Sequence, residues 1–341
     1  MCVISSDGKG GDVTVTSRDV ARLAGVSQPT VSRALRGDGR IAEATRARIV
    51  KVAADLGYVP SEPGRSLSTR STMQIAMVAD FENPLYPTLV GPLHDRFAEH
   101  GYRMVLLAER GDEQGTYARL LDRSVDGAVL TTSLLDSSLS QLLIERGLPF
   151  VELNRRSGLG GVITLTADNA GGAASCAELL VSLGHRRIGA VFGPTRTSTA
   201  RDRESGFRAA LASAGLSIAD DHLSRGGFAY EDGVRGFTEI ISSPTPPTGI
   251  FCANDMVAVG ALNQAMNMGI DVPGDVSIVG FDDLEIASWP CFRVTTVRVD
   301  LASMARAAAD AVVGQLHGKR VVPAPPYPTE LVLRRTHGSP S

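Results

Sequence analysis

The chain has 341 residues, 43% of them hydrophobic and 21% charged, with a formal net charge of −3. That apolar content supports a sizeable core and excludes global disorder, and the length suits a small module joined to one or two larger lobes. No 18-residue apolar run occurs, so no helical membrane span is expected. The four cysteines (Cys2, Cys176, Cys252, Cys291) have no metal-site spacing, which sets zinc aside and fits reduced thiols in the cytoplasm.

The charge is unevenly spread. Residues 1–72 hold 11 Lys/Arg against 7 Asp/Glu, a net +4, while the rest hold 23 against 30, a net −7. A basic head on an acidic body points to a polyanion partner for the head alone. Residues 1–14 are polar and glycine-rich without an apolar stretch, and read as a disordered leader rather than a secretory signal.

In the head, Val20, Ala21 and Ala24 fall on one face of a short helix, and Gly25 suits a turn that needs positive φ. Ser27 is placed to cap a second helix by accepting from the Thr30 amide, with Val31, Ala34 and Leu35 as its buried stripe. Pro29 sits in the first turn, where an amide hydrogen would have no intrahelical partner. Two short helices joined by a glycine turn form the helix-turn-helix pattern. The outward residues of the second helix are Gln28, Pro29, Thr30, Ser32, Arg33 and Arg36. Gln pairs with adenine, Arg with guanine, and Pro can lie on a thymine methyl, while Thr30, Ser32 and Arg36 suit phosphate. A third helix over 43–56 buries Ala44, Ile49, Val52, Ala53 and Leu56, with Ala42 standing where a hydroxyl cap would be worth about 1 kcal/mol. Residues 57–72, "GYVPSEPGRSLSTRST", have linker composition.

Beyond residue 72, apolar runs alternate with helical stretches. Runs at 74–80, 103–109, 126–132 and 149–153 read as buried strands, with helices at 85–100 and 141–146. A second series follows at 187–192, 249–254 and 276–282. Strands separated by helices imply parallel sheets, in one large doubly wound domain or two smaller lobes. Ligands of such sheets lie beyond the carboxyl ends of the strands. That places Phe81, Glu82, Asn83 and Tyr86, then Thr131 and Thr132, then Asn154 and Arg155, then Asn254-Asp255 and Asp282-Asp283 at a candidate site. Aromatic faces with amides and carboxylates suit a small polyol, although Asn254 could equally cap a helix and Asp282-Asp283 could be a turn. Arg203, in "TSTARDRESGFRAAL", reads as a cation near a helix start, where the macrodipole disfavours it. An incoming acceptor would explain it, or local neutralisation by Asp202 and Glu204.

"VTSRDVARLAGVSQPTVSRALRG", "EATRARIVKVAADLGYVPS" and "GRSL" resemble the DNA-binding head of the LacI/GalR family of bacterial transcription regulators. "NPLYPTLVGPLHDRFAEHGYRMVLL", "GHRRIGAVFGP", "ARDRESGFRAAL", "FCANDMVAVGAL" and "GIDVPGDVSIVGFDD" resemble the effector domain of that family, which is similar to periplasmic sugar-binding proteins. The resemblance implies an all-α helix-turn-helix head plus an α/β effector domain of two doubly wound parallel-sheet lobes. It implies a DNA-binding domain over 15–60, a hinge over 61–72 and an effector domain over 73–341, with an N-lobe at about 73–166 and 298–327 and a C-lobe at about 167–297 and 328–337. The lobes would join by crossings near 167, 297 and 328.

The DNA-facing set so expected is Thr16, Gln28, Pro29, Thr30, Ser32, Arg33, Arg36 and Leu67, the last as a minor-groove wedge from a hinge helix. Pro63 is tolerable in that helix, and Gly64 costs it about 1 kcal/mol. The effector-facing set is Phe81, Tyr86, Thr132, Arg203, Phe228, Asn254 and Asp282. Family members that tetramerise often carry a C-terminal leucine heptad tail. "ELVLRRTHGSPS" has no heptads, and a homodimer on pseudo-palindromic operator DNA is expected. The expected function is a cytoplasmic repressor without cofactor or metal, controlled by a small molecule, first a sugar and next a nucleoside or purine. An enzyme or a solute-binding protein on a doubly wound fold are the rivals. The chain lacks G-x-x-x-x-G-K-[ST], G-x-S-x-G and H-E-x-x-H, and its six histidines are dispersed.

Overall fold

In the computed structural model, which describes residues 15–35, 37–58, 71–109 and 118–340, the head is three helices around one small core. Helix α1 (Ser17–Ala24) buries Val20, Ala21 and Ala24, and ends at Gly25 with φ 65°. That left-handed turn brings α2 (Gln28–Leu35) across it, burying Val31 and Ala34. Helix α3 (Glu43–Asp55) closes the core with Ile49 and Ala53, while Val52 and Leu56 pack at its margin. Two expectations are corrected. Ala44 is exposed, because it stands five residues before Ile49, off the three- and four-residue spacing of the buried face. The Ser27 hydroxyl pairs with that of Thr30 at 2.8 Å, and the Thr30 amide bonds the Ser27 carbonyl at 2.9 Å, so the expected side-chain cap is not made.

At the start of α3, Ala42 occupies the cap position with φ −54° and ψ 138° and offers no acceptor. Ala42→Ser is therefore expected to stabilise the head by about 1 kcal/mol, seen as slower hydrogen exchange of the α3 amides. The leader, Arg36, and hinge residues 61–70 with Pro63, Gly64 and Leu67 lie outside the described residues.

Residues from Met73 onward form a second unit. Its first sheet has the parallel order β2-β1-β3-β4-β5, from β1 (Gln74–Ala79), β2 (Arg103–Ala108), β3 (Gly127–Leu130), β4 (Phe150–Leu153) and β5 (Thr164–Leu165). Helices α4 (Pro87–Glu99) and α5 (Ser138–Arg146) connect its strands. The second sheet has the parallel order β7-β6-β8-β9, from β6 (Ile188–Phe192), β7 (Leu223–Arg225), β8 (Gly249–Cys252) and β9 (Ser277–Val279). Around it run α6 (Asn169–Ser182), α7 (Ser198–Ser213), α8 (Tyr230–Ile241), α9 (Asp255–Asn267) and the short α10 (Glu285–Ser288). The unit is thus two doubly wound parallel-sheet lobes. Strands β10 (Thr296–Val299) and β11 (Thr329–Val332) pair antiparallel, with Val297 opposite Leu331. Between them in sequence, α11 (Leu301–Leu316) returns to the first lobe, where a Cβ added at Gly127 would lie 2.9 Å from Val312. Ala167 bridges Tyr327, so the segments near 167, 297 and 328 lie side by side.

The apolar runs overstate the strands at their carboxyl ends. Ladder pairing stops at 79, 108, 130, 252 and 279, and the residues after it belong to loops. β5, β7, β10 and β11 have no apolar run to announce them.

Helices α8 and α9 approach each other through two glycines. A Cβ on Gly233 would lie 2.0 Å from the Val257 carbonyl oxygen, and one on Gly260 2.1 Å from that of Tyr230, so α8 and α9 touch backbone to backbone.

Candidate functional site

On the head, the outward face of α2 presents Gln28, Pro29, Ser32 and Arg33, all exposed, with Thr30 half-buried. Gln28 donates from Nε2 to Ser17 Oγ at 2.9 Å, which parks its amide across the first helix. The Thr16 hydroxyl and amide both donate to the Asp19 carboxylate, at 2.7 and 3.0 Å, so Thr16 serves the start of α1 as well as facing solvent. Arg22 and Arg40 are tied to Asp19 and Asp38. Arg33 has no ion pair among the described residues and stands clear of the head's core.

In the second unit, the strand ends of the two lobes face each other. The residues that converge are Asn83, Leu85 and Tyr86 after β1, and Asn154 and Arg155 after β4. From the other lobe come Thr199 and Arg203 on α7, Phe228 after β7, Asn254 after β8 and Asp282 after β9. The space between them is about 10 Å³, room for about one water.

Arg203 lies in the second turn of α7, deeper than its sequence suggests, and is only 3% exposed. Its Nε donates to Asn169 Oδ1 at 2.8 Å, one terminal nitrogen to the Ala253 carbonyl at 2.7 Å and the other to Asp282 Oδ1 at 2.7 Å. Its guanidinium carbon stands 3.8 Å from the Phe281 ring centroid. The neutralising partner is therefore Asp282. Asp202 is instead paired with Arg156, and Glu204 with Arg208 and Arg225. Burial pushes the Asp282 carboxyl above its ordinary range, and Arg203 pulls it partly back.

Asn254 does two jobs. Its Oδ1 caps α9 by accepting from the Val257 amide at 2.9 Å, and its Nδ2 donates to the Phe228 carbonyl at 3.1 Å, which holds that aromatic loop over the cleft. Asp255 next to it is fully buried, accepting from the Leu284 amide at 2.7 Å and from the Thr296 hydroxyl at 2.5 Å, and burial pushes its carboxyl well up. Asn154 and Asp282 hold φ of 72° and 110°. Left-handed backbone of this kind is costly for residues other than glycine and gathers at binding sites.

Of the effector-facing set, the cleft brings together Tyr86, Arg203, Phe228, Asn254 and Asp282. Phe81 packs against the core beside it, and the Thr132 hydroxyl bonds the Glu109 carboxylate; neither lines the cleft. Leu85 and Thr199 were not foreseen. Thr199 carried a signal, since it lies in the first turn of the helix that follows a buried strand.

The lobes are also clasped at the cleft's edge. Arg156 forms a two-pronged pair with Asp202, at 2.5 and 3.0 Å, and its amide donates to Ser198 Oγ at 3.0 Å. The Leu135 amide donates to the Arg196 carbonyl at 2.9 Å, and Arg196 pairs with Asp136 at 2.9 Å.

Residues 16–61 match the family model described as bacterial regulatory proteins, lacI family, and residues 177–337 match a periplasmic binding protein-like domain. The chain is 31% identical over 317 residues to the HTH-type transcriptional repressor CytR of Escherichia coli (strain K12), covering 91% of this chain and 92% of that protein. It is 32% identical over 316 residues to the HTH-type transcriptional regulator CelR of Thermobifida fusca, covering 89% and 92%. Among solved structures, a transcriptional regulator CelR–cellobiose complex superposes with a TM-score of 0.74 at 30% identity, covering 94% of this chain and 99% of that one. A lac repressor dimer bound to operator and the anti-inducer ONPF superposes with a TM-score of 0.85 at 25% identity, covering 94% and 98%.

Proposed function

The chain belongs to the LacI family of bacterial regulatory proteins, and from that premise we propose a homodimeric repressor that reads a pseudo-palindromic operator and answers to a sugar-like effector held in the cleft. Gln28, Pro29 and Arg33 on α2 read base edges in the major groove, while Thr16, Thr30 and Ser32 hold phosphates. Arg36 on phosphate and Leu67 as the minor-groove wedge complete the DNA-facing set.

The effector contacts are Tyr86, Arg203, Phe228, Asn254 and Asp282. Phe81 and Thr132 belong behind them, since Phe81 packs on the core and Thr132 engages Glu109. The boundaries are 15–60 for the DNA-binding domain, 61–72 for the hinge and 73–341 for the effector domain. Its lobes divide near 167, 297 and 328. A ligand that favours one lobe arrangement moves those crossings and with them the hinge, so cleft and operator are linked equilibria. The named relatives are transcriptional regulators rather than enzymes, and we assign this chain no catalytic role. Work on operator DNA places it in the cytoplasm, and among the described residues no helix is long and apolar enough to cross a membrane.

The observation that carries this reading is the face of α2, where an exposed Arg33, without an ion pair among the described residues, stands beside Gln28 and Pro29 on a packed three-helix head. Fluorescence anisotropy on a pseudo-palindromic duplex tests it. Arg33→Ala is expected to erase about 1–3 kcal/mol of preference over random DNA while leaving a steep salt dependence. A variant that discriminates as well as the native chain would contradict the reading.

A further inference from the structure

The cleft holds a second guanidinium, whose Nε finds no acceptor among the described residues. Arg155 follows β4 of the first lobe, and its guanidinium carbon stands 5.7 Å from the Tyr86 ring centroid and 5.3 Å from that of Phe228, which belongs to the opposite lobe. Its Nε is buried and has no hydrogen-bond acceptor among the described residues. The charged residues lining the cleft are Arg155, Arg203 and Asp282. Arg203 and Asp282 are bound to each other at 2.7 Å, and Arg203 also donates to Asn169 and the Ala253 carbonyl. One positive charge is left over, and it is on Arg155.

Aromatic faces attract a guanidinium through their quadrupole, but they do not accept the in-plane N–H groups that run along its edge. A planar fork of donors between two rings matches an oxyanion, which a guanidinium grips by two parallel hydrogen bonds. A neutral polyol in this place would leave the half-buried guanidinium, and its buried Nε, without an anionic partner. We infer that the effector carries an anionic group, a carboxylate or a phosphate, and that Arg155 binds it. This rests on the reading of the cleft as the effector site. Tyr86 and Phe228 then flank the ion pair, and the Arg203–Asp282 unit is left to meet the neutral part of the molecule.

Titration calorimetry on the full-length protein tests the inference with glucose against glucuronate and glucose 6-phosphate, cellobiose against cellobionate, and cytidine against cytidine monophosphate. An acidic probe should bind at least about tenfold tighter than its neutral counterpart, and Arg155→Gln should weaken it by roughly 10- to 100-fold. Arg155→Lys should recover part of that loss, because it restores charge without the fork. The carboxylate and phosphate members of the panel distinguish the two sources of the anion. The inference falls if no acidic probe binds, if neutral partners bind as well, or if Arg155→Gln leaves acidic binding unchanged. A neutral probe that loses affinity in Phe228→Ala but not in Arg155→Gln overturns the anion and keeps the cleft. Binding that survives both Phe228→Ala and Asp282→Asn overturns the cleft itself.

Discussion

Replacing Arg203 with methionine is expected to destabilise the effector-binding unit by about 3–5 kcal/mol at neutral pH and to abolish effector binding. Both Arg203 and Asp282 are 3% exposed, so neither charge can turn to solvent when the other is removed. The variant strands Asp282 as a buried carboxylate and leaves the Asn169 side chain and the Ala253 carbonyl without their donor. The deficit should depend on pH in a defined direction. Burial already pushes the Asp282 carboxyl up, and losing Arg203 removes the attraction that opposes it. A carboxyl whose folded pKa lies above its unfolded one binds its proton more tightly when folded. Its contribution is then greatest below the unfolded value and lost as pH rises through the folded value. The methionine variant should therefore recover toward native stability as pH falls to the acid side, and lose most at neutral and alkaline pH.

Urea unfolding followed by the fluorescence of Trp289, the single tryptophan, reports on this lobe. Arg203→Met combined with Asp282→Asn should cost much less than the sum of the two single changes, since the double variant leaves neither partner charged without the other. Additive losses would mean that the pair is not coupled as its geometry indicates.

What could be read in advance divides by the range of the interactions. The head was legible because its signals are local: Val20, Ala21 and Ala24 on one face, and Gly25 at a turn whose φ of 65° only glycine takes cheaply. Ala44 was misplaced by a spacing of five where the helix needs three or four. In the second unit the rule that ligands meet strand ends located Tyr86, Asn154, Arg155, Asn254 and Asp282, because apolar runs mark where parallel strands stop. It did not separate Phe81 and Thr132 from them, since a residue after a strand can turn toward the core as readily as toward the cleft. Arg203 was legible as an anomaly but not as a bond. Its partners Asn169, Ala253 and Asp282 lie 34, 50 and 79 residues away, and only the packed lobe brings them together. Phe228 follows β7, whose three residues "LSR" carry no strand pattern, and the family resemblance alone pointed to it.

The position of Arg203 also depends on a glycine one turn further along the same helix, and Gly206→Ala is expected to damage both the packing and the site of this lobe. A Cβ on Gly206 would lie 2.0 Å from the Ala170 carbonyl oxygen, 2.6 Å from its carbon and 2.7 Å from the Ala170 Cα. These are backbone atoms of α6, so no rotamer change can clear them. To reach ordinary contact the two helices must part by more than about 1 Å, which in a close-packed interior costs about 3 kcal/mol. For a unit of this size that corresponds to a melting temperature lower by roughly 6–12 °C. The same displacement acts on the site. Arg203 on α7 reaches Asn169 at the start of α6 at 2.8 Å, and a separation of that size takes the bond past the distance at which it counts as one. Stability and effector affinity should fall together, measured by thermal denaturation and by titration calorimetry on the same sample. A variant that melts with the native protein and binds as tightly would show that α6 and α7 can separate freely, and that the placement of Arg203 owes nothing to the missing side chain beside it.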